Sequence, residues 1–536
     1  MSGPSKRLRS IRLVVGLGSL LALGLIATTL AARPGEPLDA WSATRTSLLE
    51  HHADVNIAGP LRVSSVNPRY FTDAGGRAIY LTGSHTWTNR QSWSGISDSD
   101  SSYTHYLGIV SDKGHNFIRL WVWEQAAWAP WTSEKLRFYP LPYVRSGPGV
   151  GRDGDPKFDL TRFNDRYFER VRSRVAAARE HGIYVSVMLF QGWSIESKPN
   201  QPGNPWSGHP FNRDNNINGI DGDANADGQG REVHTLQNRE VVRLQEAYVR
   251  KMLETLNDLD NVLWEISNES DAASVAWQYH MIEYVKRLEA GMPKQHPVGM
   301  TSPFPHGENR ALFRGPADWI SPNGNPPDNY ETDPPAADGR KVIIVDTDHL
   351  WGVGGDRGWV WKSFTRGLSP IFMDPFDEPQ WASSKETFEP VRRAMGQTLA
   401  LARSMDLARM VPRGELASSR YCLANVGSEY LVYLPFEPTR FESASGFVTS
   451  IPGYWRLRLA SRNIRWQRKR SVRVDLTRAT GTVLVEWLNP ASGESVKAQA
   501  VQAGKVTPFT APFRGDAVLY LRADTKGTLP FILYKG

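Results

Sequence analysis

The sequence predicts an α/β fold in which a (β/α)8 TIM barrel is followed by a small all-β sandwich domain. From about residue 60, strand-like and helix-like segments alternate for roughly three hundred residues, which is typical of parallel βα units. Beyond about residue 410 the segments become short and alternating, with turn residues between them, which predicts antiparallel strands. The 536 residues are sufficient for both domains.

Eight apolar segments predict the barrel strands. They are residues 79–82, 117–122, 183–190, 262–266, 297–301, 319–321, 342–345 and 370–373. In the sandwich, alternating patterns predict strands at 430–434, 472–475, 482–487 and 517–521. The sandwich is expected to pack against the barrel, because no Pro/Ser/Gly-rich linker separates the two around Arg413.

Periodic apolar residues predict helices between the strands. One helix is expected at 103–113, between the first two strands. Before the third strand, one helix face is formed by Phe163, Tyr167, Val171 and Val175, and His181-Gly182 ends that helix. Before the fourth strand, a second amphipathic helix is marked by Val241, Tyr248, Val249, Met252 and Leu256.

The N-terminus predicts export from the cytoplasm. Four cations, before any acid, precede an unbroken apolar run over residues 13–32, which is typical of a signal peptide or of an uncleaved membrane anchor. Both alternatives place the rest of the chain outside the cytoplasm, and membrane contact is expected only through this segment. The predicted organisation is a signal or anchor at 1–32, a linker at 33–59, a catalytic domain at 60–409 and the sandwich at 410–536.

Composition excludes several classes of function. Of the formal charge of +7, four charges precede residue 13, so the remainder is too weakly basic to indicate a nucleic-acid partner. Cys422 is the only cysteine, which excludes an intrachain disulfide and a cysteine metal cluster. The 19 tryptophans are compatible with binding to the apolar faces of sugars, although tryptophan is also a core residue. The oligomeric state is not predicted.

The most informative motif is Asn268-Glu269, directly after the fourth predicted strand. Active sites of these barrels lie at the carboxyl ends of the strands. There an amide can hold the 2-hydroxyl of a sugar while the neighbouring acid protonates the departing oxygen. The alternative is an Asn-Glu pair that caps a helix. Glu265 has the same strand parity as Glu269 and is interpreted as an ion-pair partner inside the barrel.

Asn268-Glu269 on strand four, Arg119 on strand two and a carboxylate ending strand seven resemble the clan of retaining (β/α)8 glycosidases. The segment 80–87, Tyr-Leu-Thr-Gly-Ser-His-Thr-Trp, and the end of strand seven resemble more narrowly the apiosidase-like glycoside hydrolases. Members of that group often have a C-terminal β-sandwich named as a collagen-binding domain. The resemblance extends from about residue 60 to the C-terminus and implies a glycosidase acting on plant-type cell-wall side chains.

Strand seven departs from the pattern of that family. Apiosidase-like enzymes have Asp-Gly-Glu-Pro here, whereas this chain has Asp346-Thr347-Asp348. Aligning Asp346 with the family's Asp places Asp348 where the catalytic Glu stands. The resemblance therefore implies Asp348 as nucleophile and Asp346 as its competitor, while either acid could instead pair structurally with Arg119. The separation of the carboxyl groups would distinguish retention from inversion.

Further candidates for a sugar-binding site lie just past predicted strands. They are His85, Trp87, Asn89, Trp123, Glu124, Gln191, Trp193 and Trp351. Loop packing is the alternative for each tryptophan, and about half of the set is expected to contact ligand. His85 and His349 have side chains that can bind a metal, but no zinc-type spacing supports them as ligands.

The loop after strand three resembles the first half of a calcium loop. Asp223, Asn225 and Asp227 offer oxygen ligands at alternate positions, Gly228 follows the third of them, and the flanking Asp221 would have to complete the ligand set. The position of the closing bidentate Glu is occupied by His234. A structural Ca²⁺ and a loop of Asx turns are both compatible with this pattern.

These observations favour an exported glycoside hydrolase with an oligo- or polysaccharide substrate and no required cofactor. Glu269 is expected to act as acid and then base, while a strand-seven aspartate attacks the anomeric carbon. This division requires Glu269 to be protonated while Asp348 is charged. The alternatives are a non-catalytic carbohydrate- or matrix-binding protein and a metal-dependent hydrolase built on Asp346, Asp348, His349 and His85.

Overall fold

The computed structural model describes residues 57–93, 100–305, 307–376, 385–436 and 470–524. The predicted export segment at 1–32 lies outside the described residues, as does most of the linker at 33–59.

The described residues contain 24 strands and seven α-helices, numbered in chain order. The strands are β1 Arg62–Val63, β2 Phe71–Thr72, β3 Ala78–Ile79, β4 Gly83–His85, β5 Ser92–Trp93, β6 Phe117–Leu120, β7 Ala127–Ala129, β8 Thr132–Tyr139, β9 Tyr143–Val150, β10 Pro156–Phe163, β11 Tyr184–Gln191, β12 Val262–Asn268, β13 Val298–Thr301, β14 Trp319–Ser321, β15 Val342–Asp346, β16 Ser369–Met373, β17 Val411–Pro412, β18 Cys422–Asn425, β19 Glu429–Leu434, β20 Ser471–Asp475, β21 Thr482–Leu488, β22 Ser495–Gln502, β23 Val506–Thr510 and β24 Ala517–Ala523. The helices are α1 Asp100–Asp112, α2 Asp165–Glu180, α3 Arg239–Leu256, α4 Val275–Glu289, α5 Asn309–Arg314, α6 Arg357–Thr365 and α7 Lys385–Ser404.

Eight parallel strands form the predicted barrel. Their order is β4-β16-β15-β14-β13-β12-β11-β6, and every neighbouring pair is parallel. Between β4 and β6, Thr82 and Asn116 exchange two hydrogen bonds of 3.0 and 3.1 Å at the start of the strands. A Cβ at Gly83 would lie 2.2 Å from the carbonyl oxygen of Phe117, so only glycine permits this close approach.

The first predicted strand is misplaced. Within the predicted segment 79–82, only residue 79 is in a strand, and that strand is β3 of a small antiparallel sheet with β1 and β2. The first barrel strand begins four residues later, at Gly83. The apolar run ends at Leu81, and β4 itself is Gly-Ser-His, so hydrophobic periodicity does not mark this strand.

Helices enclose the barrel. Residues that point outward from the strands pack against them in one large core, whereas the barrel interior has its own layer that includes Phe117, Tyr184, Leu263, Trp319 and Ile344. The five residues named for the helix before β12 are buried on α3. Phe163 was wrongly assigned to a helix: it ends β10, and α2 begins at Asp165.

Residues 127–163 contain an antiparallel extension that the sequence analysis did not predict. Strands β7 and β8 form one sheet with the earlier strand β5, and β9 with β10 forms a hairpin. The extension follows the carboxyl end of β6, so it lies on the side where barrel active sites are found. Trp93 of β5 and Phe138 of β8 are buried in one cluster with Trp123.

The C-terminal region is all-β, as predicted. Six strands form an antiparallel sheet in the order β17-β18-β19-β24-β21-β22, and β20 pairs with β23. Tyr433 of this region stacks on Trp361 of α6 with ring centroids 6.1 Å apart. Arg357 binds both oxygens of Asp516 at 2.8 and 2.9 Å. No described helix has the length and apolarity needed to cross a membrane.

Candidate active site

Arg119 of β6 joins four residues at the carboxyl end of the barrel. Its guanidinium donates to Glu265 at 2.5 and 3.0 Å, to Asp346 at 2.8 Å, to Asp348 at 3.1 Å and to Asn268 at 2.6 Å. Its side chain is only 2% exposed. The structure therefore brings together the strand-four and strand-seven motifs, and it places Arg119 beneath them.

Glu265 and Asp346 form the floor of the site. Glu265 is fully buried and also accepts a hydrogen bond of 2.9 Å from Ser186, as expected for an interior ion partner. Asp346 accepts from the backbone N–H of Asp348 at 3.0 Å and lies 2.9 Å from Nε2 of His85. Burial alone would raise the pKa of Asp346, but the His85 and Arg119 side chains hold it well below its usual range.

The tautomer of His85 follows from its partners. The indole N–H of Trp121 can only donate, and it lies 2.8 Å from Nδ1 of His85. Nδ1 is therefore an acceptor, and the ring proton lies on Nε2, where it is donated to Asp346. Both ring nitrogens of His85 are occupied by protein hydrogen bonds, so this geometry does not favour the alternative in which His85 is a metal ligand.

Asn268 is oriented by three neighbours. Its Oδ1 accepts from Arg119 and, at 2.9 Å, from Nε2 of His349, while one Nδ2 hydrogen is donated to Gln191 at 3.2 Å. Nδ1 of His349 lies 2.8 Å from the Ser321 hydroxyl. Desolvation, with Arg119 nearby, lowers the pKa of His349 to about 3, so this ring is neutral.

Glu269 follows β12 in an unusual backbone conformation. Its φ of 45° lies in the left-handed region, which non-glycine residues seldom adopt and which is common at functional sites. A Cβ at Gly192 would lie 2.1 Å from the Glu269 carbonyl oxygen, so glycine is needed there for the turn to pass. The indole N–H of Trp193 donates to Oε2 of Glu269 at 2.5 Å.

Glu269 and Asp348 form the rim of the site, and both acids have raised pKa values. Desolvation, with the nearby charge of Asp348, raises the pKa of Glu269 to about 8. Desolvation also raises the pKa of Asp348, to about 6, although Arg119 opposes this shift. Among the described residues, the Asp348 side chain contacts Arg119 and, at 3.6 Å, His349. The pair thus has fewer hydrogen bonds than the floor acids, and its raised pKa values contrast with the lowered pKa of Asp346.

The predicted sugar-contacting residues fall into two groups. Trp87, Trp193 and Trp351 are half-buried around the strand ends. His85, Asn89, Trp123 and Gln191 are buried. Gln191 accepts from Trp193 N–H at 3.2 Å, and Asn89 bonds the backbone of β6 at 2.7 Å. The buried group supports the site from within the protein, and contact with sugar stays a prediction for both groups.

Glu124 lies beside two histidines that the sequence analysis did not connect to it. His234 and His209 approach its carboxylate at 3.2 and 3.6 Å, and the N–H of Gln191 donates to it at 2.7 Å. Burial would raise the pKa of Glu124, but the two histidines lower it to about 2. Glu124 is therefore a charged acceptor and not a proton donor near neutral pH.

Sequence reasoning missed Phe304 and Lys198. Phe304 stacks on Trp193 with ring centroids 6.0 Å apart and planes at 13°. Nζ of Lys198 lies 5.9 Å from each ring centroid. Neither residue ends a predicted strand. The expectation that active-site residues lie at the carboxyl ends of barrel strands therefore does not identify them. The role of His349 in holding Asn268 was also missed.

The loop predicted to bind calcium is exposed, and its oxygens accept hydrogen bonds from within the loop. Asp223 accepts from the N–H groups of Asp227 and Gly228 at 3.2 and 2.8 Å, and Asp221 accepts from Asp223 N–H at 3.2 Å. Asn225 likewise accepts from Asp227 N–H at 2.9 Å. Within the described residues, no three His, Cys, Asp or Glu side chains are grouped as a metal site. The arrangement is one of Asx turns, and calcium binding stays a prediction.

Comparison with known proteins confirms the fold. A family model described as a domain of unknown function (DUF6298) matches residues 104–303, and no curated protein matches the sequence. A glycoside hydrolase family 5 structure from Bacteroides vulgatus ATCC 8482 is similar over 88% of this chain and 95% of its own, with a TM-score of 0.56 and 14% identity. A structure described as a glycoside hydrolase is similar over 87% and 98%, with a TM-score of 0.53 and 12% identity. At these identities the similarity shows the shared fold.

Proposed function

We propose that this protein is an exported glycoside hydrolase that cleaves O-glycosidic bonds of an oligo- or polysaccharide by a retaining mechanism. One observation carries the proposal: Glu269 directly follows β12, Asp348 lies in the turn after β15, and the two acids are close enough for the charge of Asp348 to raise the pKa of Glu269. They are 79 positions apart in the numbering, and Arg119 binds both Asp348 and Asn268, the neighbour of Glu269. A proton donor and a carboxylate at the mouth of one barrel are the two groups that glycoside cleavage requires.

In the first step, Glu269 transfers its proton to the glycosidic oxygen while an Asp348 oxygen attacks the anomeric carbon. The bond from that carbon to the leaving oxygen breaks, and an ester between Asp348 and the sugar forms. In the second step, Glu269, now ionised, takes a proton from water, and the water oxygen displaces Asp348. The second Nδ2 hydrogen of Asn268 is directed to the sugar 2-hydroxyl.

Asp348 is a better nucleophile than Asp346 because its carboxylate is less encumbered. Asp346 is fully buried, and its oxygens already receive His85, Arg119 and a backbone N–H. Attack by Asp346 would require these bonds to break without replacement. Asp346 instead fixes the turn that presents Asp348, because it accepts the Asp348 N–H.

The substrate class is supported by two similarities. The neighbouring structures that share the fold are glycoside hydrolases, and the segment 80–87 and strand seven resemble the apiosidase-like group. We therefore propose a plant-type or other complex polysaccharide as substrate, with the half-buried rings of Trp87, Trp193 and Trp351 against it. The apolar segment at 13–32 supports export.

Azide rescue tests the roles of the two rim acids. Hydrolysis is first located with wild-type protein on a panel of plant polysaccharide digests, by release of reducing ends. Glu269→Ala and Asp348→Gly should each lose about 10³-fold or more in rate. Azide should then restore turnover, giving a glycosyl azide with the substrate's anomeric configuration for Glu269→Ala and the inverted one for Asp348→Gly.

Glu246→Gln, a remote acid on α3 that pairs with His280, serves as the control and should retain full activity. If azide restored turnover to Asp346→Gly and not to Asp348→Gly, the nucleophile would be Asp346. Unchanged hydrolysis by Glu269→Ala would refute the assignment. Saccharide binding without turnover by wild-type protein would favour the non-catalytic alternative.

A further inference from the structure

A fully enclosed lysine lies close to Glu269. Lys198 is in the loop after β11, and its side chain has no exposed surface. Its ammonium is 3.1 Å from Oε1 of Glu196, and the other oxygen of Glu196 binds Arg231. Lysine is seldom buried to this extent unless it is paired, so the pairing with Glu196 explains how the charge is tolerated. It does not explain why the charge lies here.

The position of the ammonium relative to two rings gives a reason. Nζ of Lys198 is 5.9 Å from the centroids of both Trp193 and Phe304, within the range of a cation–π interaction. The rings lie nearly parallel, and the Trp193 indole N–H is donated to Glu269. One cation thus contacts both members of the stack that carries the hydrogen bond to the acid.

We propose that Lys198 is a positioning residue for Glu269: its buried ammonium holds the Trp193–Phe304 stack so that the indole N–H remains on the Glu269 carboxyl. This inference rests on the proposed function of Glu269 as acid and base. Held in this way, the N–H stabilises the ionised carboxylate that the second step needs, while burial keeps the acid protonated for the first step.

The sign of the effect follows from the charged groups that face Glu269. These are Asp348 from the β15 turn, Lys198 from the β11 loop and Arg119 from β6. Asp348 favours the protonated acid, whereas the two cations favour the carboxylate. Arg119 is neutralised by the floor acids that it binds. Removal of the Lys198 charge should therefore make Glu269 harder to ionise.

The experiment compares Lys198→Met and Lys198→Gln, which remove the charge, with Lys198→Arg, which keeps it. Lys251→Met is the matched control. Lys251 is on α3, and its Nζ also lies over an aromatic ring, 5.6 Å from the centroid of Phe168 on α2. The first measurement is the titration of Glu269 by its carboxyl infrared band, identified by difference against the same variant with Glu269→Gln. It needs no substrate. The second is the basic limb of the pH–rate profile.

We expect Lys198→Met and Lys198→Gln to move both midpoints upward by about one pH unit. Lys198→Arg should recover most of the shift, and Lys251→Met should leave both midpoints unchanged. Lys198→Gln keeps a hydrogen bond to Glu196, so it serves if Lys198→Met does not fold. A folded Lys198→Gln with the wild-type Glu269 titration would overturn the inference. Because that titration is read without turnover, this failure is separate from a failure of Glu269→Ala to abolish hydrolysis.

Discussion

The floor and the rim of the site each contain one glutamate and one aspartate near Arg119, but the two pairs of acids have different roles. On the floor, the oxygens of Glu265 and Asp346 are saturated by Arg119, Ser186, His85 and a backbone N–H. On the rim, Asp348 meets Arg119 through one oxygen, and Glu269 meets Trp193 through one oxygen. A carboxylate whose oxygens are fully hydrogen-bonded has a structural role. A buried carboxylate with fewer hydrogen bonds remains available for proton transfer or nucleophilic attack.

The largest expected effect separates the two layers by stability. Glu265→Gln should lower the free energy of unfolding by about 3 kcal/mol, because it weakens two charged hydrogen bonds to a buried guanidinium. Asp348→Asn, which touches the same arginine from the rim, should change it by less than about 1 kcal/mol. Denaturant unfolding at pH 7 measures both. Equal losses would mean that the floor and the rim do not differ in this way.

The raised pKa of Glu269 should lower the free energy of unfolding as the pH rises. Unfolded Glu269 releases its proton near pH 4.5, whereas the folded protein keeps it to about 8. Between these values the folded state binds more protons, so its stability falls as the pH rises. Glu269→Gln cannot ionise, so it should be more stable than wild type at pH 8, with no gain at pH 4. Paired unfolding curves at the two pH values test this, and an equal gain at both would contradict it.

The pH dependence of hydrolysis should sharpen the contrast within the rim. Asp348 must be ionised and Glu269 protonated, so the rate should rise as Asp348 ionises near pH 6 and fall as Glu269 ionises near pH 8. The expected profile of kcat/KM is a bell with its maximum between these values. A plateau extending to pH 10 would show that Glu269 is not the proton donor.

The smallest expected effect comes from the single hydrogen bond to Glu269. Trp193→Phe keeps the ring but removes the N–H that stabilises the carboxylate, so the pKa of Glu269 should rise and the basic limb should move up by about half a pH unit. Trp351→Phe, in the segment that follows the turn after β15, is the control and should leave that limb in place. Movement of the acidic limb instead would mean that Trp193 acts on Asp348.

The sequence predicted the parts of this site that depend on strand ends. Asn268-Glu269 and Asp346–Asp348 were found because a parallel barrel gathers the carboxyl ends of its strands. The interior ion pair of Glu265 was found from strand parity, and the all-β C-terminal region was found from alternation. Each of these inferences uses only the residue pattern within a single segment of the chain.

What the sequence could not predict depends on contacts between distant segments. Lys198 and Phe304 are more than one hundred residues apart in the chain, and only the folded loops place one beside the other. The antiparallel extension at 127–163 was missed because its strands alternate with charged residues and turns. The start of β4 was missed because the apolar run ends at Leu81, whereas β4 itself is Gly-Ser-His and has no apolar pattern.

The tight passage of Gly192 against the Glu269 backbone limits how this protein can be re-engineered. A loop library that aims at new specificity would naturally begin at the end of β11, where Gly192 and Trp193 lie. Any side chain at Gly192 would collide with the turn that carries the acid. Productive diversification must therefore begin beyond Lys198, at Pro199 and Asn200, whose side chains already face solvent.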